Sequence, residues 1–123
     1  MASTTFTGPV TSLNGFIGAI TGNITGEVFA SVQSLSGAGA VNLTNMMTSL
    51  TTTGASQALT LANGTAGQIK IITHTVDGGS AVLTPTTKIG FSTVTFTAVG
   101  DTVMMIYTAA GWAIIGSRGV TIA

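Results

Sequence analysis

From Phe29 onward the chain alternates short Val-, Ile- or Thr-rich runs with glycine-centred breaks. The runs are Phe29–Leu35, Val41–Leu43, Ala58–Ala62, Gln68–Val76, Ala81–Thr84, Thr93–Val99, Val103–Thr108 and Trp112–Ile115. Ser36-Gly37-Ala38-Gly39, Asn63-Gly64, Asp77-Gly78-Gly79, Gly100-Asp101 and Ala110-Gly111 punctuate them. Short runs at such spacing predict an all-β chain of antiparallel strands: a sandwich, a barrel-like body or an intertwined stacked-sheet trimer. Two pairs read as hairpins. Gln68–Val76 and Ala81–Thr84 flank a turn whose glycines supply positive φ, and Val103–Thr108 and Trp112–Ile115 flank Ala109-Ala110-Gly111. Only Leu43–Leu50 reads as a helix, with Asn42 or Thr44 placed to cap it.

The first 35 residues follow a different pattern. Gly18-Ala19-Ile20-Thr21, Gly22-Asn23-Ile24-Thr25 and Gly26-Glu27-Val28-Phe29 repeat every four residues. Read as an extended chain, Gly18, Ile20, Gly22, Ile24, Gly26 and Val28 share one face, and Ala19, Thr21, Asn23, Thr25 and Glu27 share the other. Glycine on the apolar face lets another backbone come close. This predicts an extended Gly/Thr-rich arm over residues 1–35 that attaches to a partner, followed by a β-rich trimerisation domain over 36–123. The same spacing also fits small-residue packing between membrane helices. Asn23, Glu27 and the threonines interrupt any apolar 20-mer, and glycine with β-branched residues makes a poor helix in water.

Charge changes the picture most. The chain holds three basic and three acidic residues, whereas about a quarter of an average domain is charged. Close to a fifth of the chain is threonine, so hydroxyls and backbone must hold the surface in water. A net charge of zero favours association. The surface therefore reads as one that neighbours cover in the working state. No apolar run approaches the roughly 20 residues of a spanning helix, and one Trp, one Tyr and five Phe are too few for the aromatic girdles of an outer-membrane barrel. Three scattered basic residues make no nucleic-acid footprint. The start, Met1-Ala2-Ser3-Thr4-Thr5, lacks the basic and apolar regions of a signal peptide, so Asn23, Asn42 and Asn63, each two residues before a threonine, read as by-products of a Thr-rich composition. Without cysteine there are neither disulfides nor thiolate metal sites, and no cofactor is expected.

The chemistry-bearing residues are few. His74, Glu27, Asp77 and Asp101, with Lys70 and Lys88, are the whole acid–base inventory, and no Gly-x-Ser-x-Gly elbow accompanies them. His74 shares a strand face with Lys70 and Ile72, which suits a structural or exposed histidine better than an inter-subunit metal or pH-sensing site, and either better than catalysis. Asp77 and Asp101 adjoin glycine and read as turn residues. No Asp-x-Asp cluster offers a calcium site, and Gly37-Ala38-Gly39 lacks the rest of a phosphate loop. Met46-Met47 and Met104-Met105 offer adaptable contacts. Within the strand, one of Met104 and Met105 should face the core and the other a neighbouring subunit or sheet. Tyr107 and Trp112 flank a tight turn and should pack as a pair, as core or subunit interface. A carbohydrate platform around Trp112 is the sharper alternative.

Residues 8–21, Gly-Pro-Val-Thr-Ser-Leu-Asn-Gly-Phe-Ile-Gly-Ala-Ile-Thr, resemble a V-T-S-x-N-G-x-x-G-x-V-T segment common in bacteriophage fibre-like and head-decoration proteins. Leu50–Gly54, Ala58–Gly64, Gly67-Gln68, His74–Pro85 and the Val99-Gly100-Asp101…Gly111-Trp112 close are similar to the β-domains of small virion proteins of tailed phages. The resemblance implies a homotrimer on the outer surface of the virion, bound to the major capsid protein as a decoration or cement protein, with no enzymatic activity. The chain lacks the coiled coil or repeat shaft of a long fibre, which favours the shell. A tail-fibre or receptor-binding tip recognising the host surface is the alternative.

Overall fold

The computed structural model describes residues 5–15 and 18–123. Residues 1–4, at the chain start, and Phe16-Ile17 of the opening motif lie outside the described residues. Among the described residues ten strands form: β1 (Val32–Ser36), β2 (Gly39–Val41), β3 (Met47–Thr51), β4 (Gln57–Leu61), β5 (Ile69–Val76), β6 (Ala81–Pro85), β7 (Val94–Phe96), β8 (Thr102–Thr108), β9 (Gly111–Arg118) and β10 (Thr121–Ile122). The described residues hold no helix. The all-β expectation holds, but the connectivity differs from a chain of hairpins.

Two five-stranded sheets lie over one core. The front sheet runs β1-β3-β5-β8-β9 and the back sheet β10-β7-β6-β4-β2. From β1 to β6 the chain changes sheet at every strand, so β1, β3 and β5 pair in parallel in front while β2, β4 and β6 pair in parallel behind. Met47 pairs with Ile71 and Gln57 with Ala81, the same interval along the chain in both sheets. This is a short two-sheet coil, in which each turn of chain stacks on the previous one. The coil then reverses. β7 pairs antiparallel with β6, β8 with β5, β9 with β8, and β10 with β7. The sheets are mixed rather than antiparallel throughout, and they do not close into a barrel.

Two local expectations are overturned. Residues 47–51 of the expected helix form β3, hydrogen-bonded between β1 and β5, with Thr48 and Leu50 inward. Asn42 and Asn45 close a side-chain turn just before it, the Asn45 N–H donating to Asn42 Oδ1 at 3.1 Å, so the helix never starts. The expected hairpin of residues 68–76 and 81–84 is not formed: β5 lies in front and β6 behind. Ile72 and Leu83 are both fully buried in the common core, so a turn that changes sheet covers more apolar surface than a flat hairpin would. The turn is also tightly packed. A Cβ on Gly78 or Gly79 would strike the backbone of Thr52 or Gly54 in the preceding turn, so these glycines allow turn to stack on turn. The 103–108/112–115 hairpin does form, as β8 and β9, with Ile115 the extra residue of a bulge opposite Met104 and Met105.

The core draws on both sheets, with Leu50, Ile72, Val103, Met105 and Trp112 in front facing Val41, Leu59, Leu61, Leu83, Val94 and Phe96 behind. β1 begins at Val32, inside the segment assigned from sequence to the arm. Before it, the described residues form no strand and are exposed. In the single chain Gly18–Val28 form no strand, and Gly18, Gly22 and Gly26 have φ of 129°, 111° and 116°. Among the described residues, no atom beyond the adjoining residues lies within 4 Å of where their Cβ would be.

Candidate functional site: outer faces and buried polar groups

Registration fixes what each sheet shows to the outside. On the front sheet Val32, Met47, Ile71 and Met104 align across four neighbouring strands. Ile69, Ile106 and Ala113 form a second row beside them. Ser34, Ser49, Thr73, Thr102 and Arg118 form a polar row farther along the strands. Val32 is 52% exposed, and Met47, Ile71 and Met104 are half-buried by their neighbours alone. The apolar band ends at a groove of about 510 Å³ whose walls include Phe29, Leu43, Met46 and Ile69, where the N-terminal segment leads into β1. A second apolar hollow of about 400 Å³ lies between Ile89, Phe91, Ala113, Ile114 and Ile122.

The back sheet shows something else. Its outward rows are Ala40, Thr60 and Thr84, and Ala58, Val82, Thr95 and Thr121. Neither row carries a charge, and both are made of methyls and hydroxyls, whereas two of the front rows are of long aliphatic chains.

The residues singled out from sequence separate cleanly. Met105 and Trp112 are fully buried core, and Met104 faces outward from the front sheet. Tyr107 and Trp112 are direct cross-strand partners, with ring centroids 5.1 Å apart in an edge-to-face arrangement. The Trp112 indole N–H donates to the Ala62 carbonyl at 2.9 Å, so its polar edge is used internally and the ring offers no platform to a sugar. Of the arm residues, Ile20, Ile24 and Val28 are exposed, and nothing in the chain gathers them with the β-domain positions.

The titratable groups are structural in their contacts. Lys70, Ile72 and His74 do share a face, and that face points into the core with no exposure. The Lys70 ammonium donates to the Asn45 carbonyl at 2.7 Å, and burial lowers its pKa to about 8. His74 Nε2 lies 3.0 Å from Thr52 Oγ1, while the buried Nδ1 has no partner among the described residues. Thr52 Oγ1 also accepts the Gly78 N–H at 2.9 Å and lies 3.2 Å from the Gly79 carbonyl. A hydroxyl has one proton. When it goes to Gly79, the imidazole donates to Thr52 from Nε2. Thr52 thus ties β3 to the next turn of the coil. Nothing in the sequence marked it among 24 threonines, except that it continues the inward alternation of Thr48 and Leu50.

Asp77 and Asp101 are turn residues. Asp77 Oδ1 accepts the Gly79 N–H at 2.9 Å in solvent. Asp101 is nearly buried, and its Oδ2 accepts the N–H groups of Thr97 at 2.7 Å and Ala98 at 3.0 Å. Burial alone would raise its pKa. The two backbone N–H groups, the Thr97 hydroxyl and nearby His74 outweigh it, holding the carboxyl below its ordinary value. The described residues hold no group of three or more His, Cys, Asp or Glu placed to bind a metal ion, and no helix among them is long and apolar enough to cross a membrane.

No known protein family, curated protein or solved structure matches the chain. The likeness to phage head-decoration proteins therefore rests on the residues quoted above.

Proposed function

We propose that the chain is a structural subunit of a tailed-phage virion, a decoration or cement protein that joins the outside of the head shell as a homotrimer and holds it through its N-terminal arm. One observation carries the reading. The domain from Val32 onward completes its core without the preceding segment, which presents Phe6, Leu13, Ile20, Ile24, Val28 and Phe29 to solvent. An apolar segment outside a finished core is available to another surface. Backbone hydrogen bonds to an open sheet edge give such a segment affinity. Three arms on one axis multiply that affinity through effective concentration rather than new contacts. The near absence of charge supports the same reading, since broad interface cores are depleted in charged residues.

The test compares the full chain with a form lacking residues 1–28, mixed with expanded shells of the phage that encodes it and observed by electron microscopy. The full chain decorates the shell, and the truncated form folds but leaves it bare. Wild-type occupancy by the truncated form overturns the arm as the attachment device. A full chain that ignores shells and binds host cells instead places the protein at the tail tip.

A further inference from the structure

We infer that the outer face of the front sheet, centred on Met47, Ile71 and Met104, is the surface through which copies of this chain join. The inference rests on the homo-oligomeric reading above and assigns it a place. The sequence pattern of β5 sets the problem. Its inward positions are Lys70, Ile72 and His74, and its outward positions begin with Ile69 and Ile71. A strand facing water would put its lysine outside and its isoleucines inside; this one does the reverse at position 70. β8 places Met104 and Ile106 on the same outer face, next to Ile71 and Ile69. The back sheet of the same molecule provides the comparison, since Thr60, Thr84 and Thr95 stand at its outward positions.

The occupant is another copy because of charge and size. Around a rotation axis each residue near the axis meets its own counterpart. A charge there would face the same charge, whereas the apolar rows contain none and Arg118 stands at the end of the separate polar row on β9. An apolar face without charge can therefore be its own complement about an axis. Five strands about 4.8 Å apart, each roughly 17–26 Å long, give a face of roughly 500 Å² in plan. Side-chain relief and the groove at Phe29 and Met46 enlarge it toward the ~800 Å² that one partner buries in a standard interface. Three such faces turned to one axis form the core of a trimer.

Light scattering on the full chain at micromolar concentration, after size exclusion, provides the test. Wild type runs at a multiple of the chain mass, Ile71→Asp and Met104→Asp run as folded monomers, and Thr84→Asp on the back sheet keeps the wild-type mass. A wild-type monomer sinks the oligomer itself. A wild-type oligomer that survives both front-face changes sinks only this assignment. Where an aspartate variant fails to fold, peroxide oxidation of the wild-type oligomer decides. Met47 and Met104 then oxidise nearly as slowly as the core residue Met105, and rates close to those of the same residues in the urea-unfolded chain overturn the inference.

Discussion

The two sheets differ most on their outer faces. The back sheet follows the ordinary arrangement: Leu59, Leu61, Leu83, Val94 and Phe96 face the core, and threonine or alanine fills most outward positions. The front sheet sets Thr48, Lys70 and His74 among Leu50, Ile72, Val103 and Met105 on its inner side, and on its outer side it carries Met47, Ile69, Ile71, Met104 and Ile106 beside the polar row that runs from Ser34 to Arg118. A sheet with one solvated face normally shows apolar residues inward and polar ones outward. The front sheet departs from that because both of its faces are packed, one by the back sheet and, on our reading, one by its own copies. Its inner polar groups lock geometry rather than add core. Gln33 shows how: its Oε1 accepts from the Asn42 N–H and the Thr48 hydroxyl, and its Nε2 donates to the Ala40 carbonyl, so one side chain on β1 is tied to β2 and β3 at once.

The largest way to break this contrast is to break the coil that holds both sheets in register. Gly79→Val puts a side chain into the Gly54 carbonyl and forces a branched residue to φ 147°. The backbone of one turn must then move away from the other, and overpacking with strain of this kind costs about 3 kcal/mol or more. Urea unfolding should show a much lower midpoint, or no folded protein at all. Gly22→Val, which also sits at positive φ but has no neighbour within 4 Å, should leave that midpoint unchanged. Equal midpoints for Gly79→Val and wild type would mean that the stacked turns do not hold the sheets together.

How much of this the sequence discloses depends on whether the signal is local. Strand positions are local: alternation in β5, β6 and β8 and the Tyr107–Trp112 turn locate those elements to within a few residues. Pairing is not. Asp77-Gly78-Gly79-Ser80 has the residues of a hairpin, but its glycines answer to Thr52 and Gly54, more than twenty positions earlier. β3 was hidden for a related reason. Leu43, Met46, Met47 and Leu50 stand at helical spacing, and only partners on both sides, together with the Asn42–Asn45 turn, make residues 47–51 a strand. The shared face of Lys70, Ile72 and His74 was legible, but whether it points in or out was decided by the back sheet. Thr52, Gln33 and the outer rows of Met47, Ile71 and Met104 required the register.

Lys70 sharpens the inner half of the comparison. Its pKa falls from 10.5 to about 8 in the folded protein, so between those values the unfolded chain binds more protons than the folded one. Stability then rises with pH across that window, because deprotonation removes the cost of a buried charge. Thermal melting should move upward by a few degrees between about pH 8 and pH 10, before tyrosine and backbone effects dominate. Lys70→Met keeps length and apolar bulk without the charge. It should melt at or above wild type at pH 7 and lose the rise. A flat wild-type profile over the same range would show that the ammonium reaches water, and that the inner face of the front sheet is less dry than its burial indicates.

The smallest effect is expected at Asp101, where β8 joins the front sheet. Its carboxylate takes the N–H groups of Thr97 and Ala98, and its own carbonyl accepts the His74 N–H at 2.8 Å. Gly119 passes so close that a Cβ there would meet Asp101 Oδ1, which fixes the carboxylate against the β9–β10 turn. Asparagine preserves one acceptor oxygen but brings an NH₂ group to the other side, so Asp101→Asn should cost about 1 kcal/mol at neutral pH. The sign of its pH dependence is opposite to that of Lys70. A carboxyl with a depressed folded pKa stabilises the protein fully above its unfolded value near ~4, and that contribution fades as pH falls through the lower folded value. Wild type should therefore lose its advantage over Asp101→Asn between neutral pH and strongly acidic solution, with the two melting curves converging. If they stay apart by the same amount at low pH, the anchoring comes from the shape of the turn at Ala98–Asp101 rather than from the charge on its last residue.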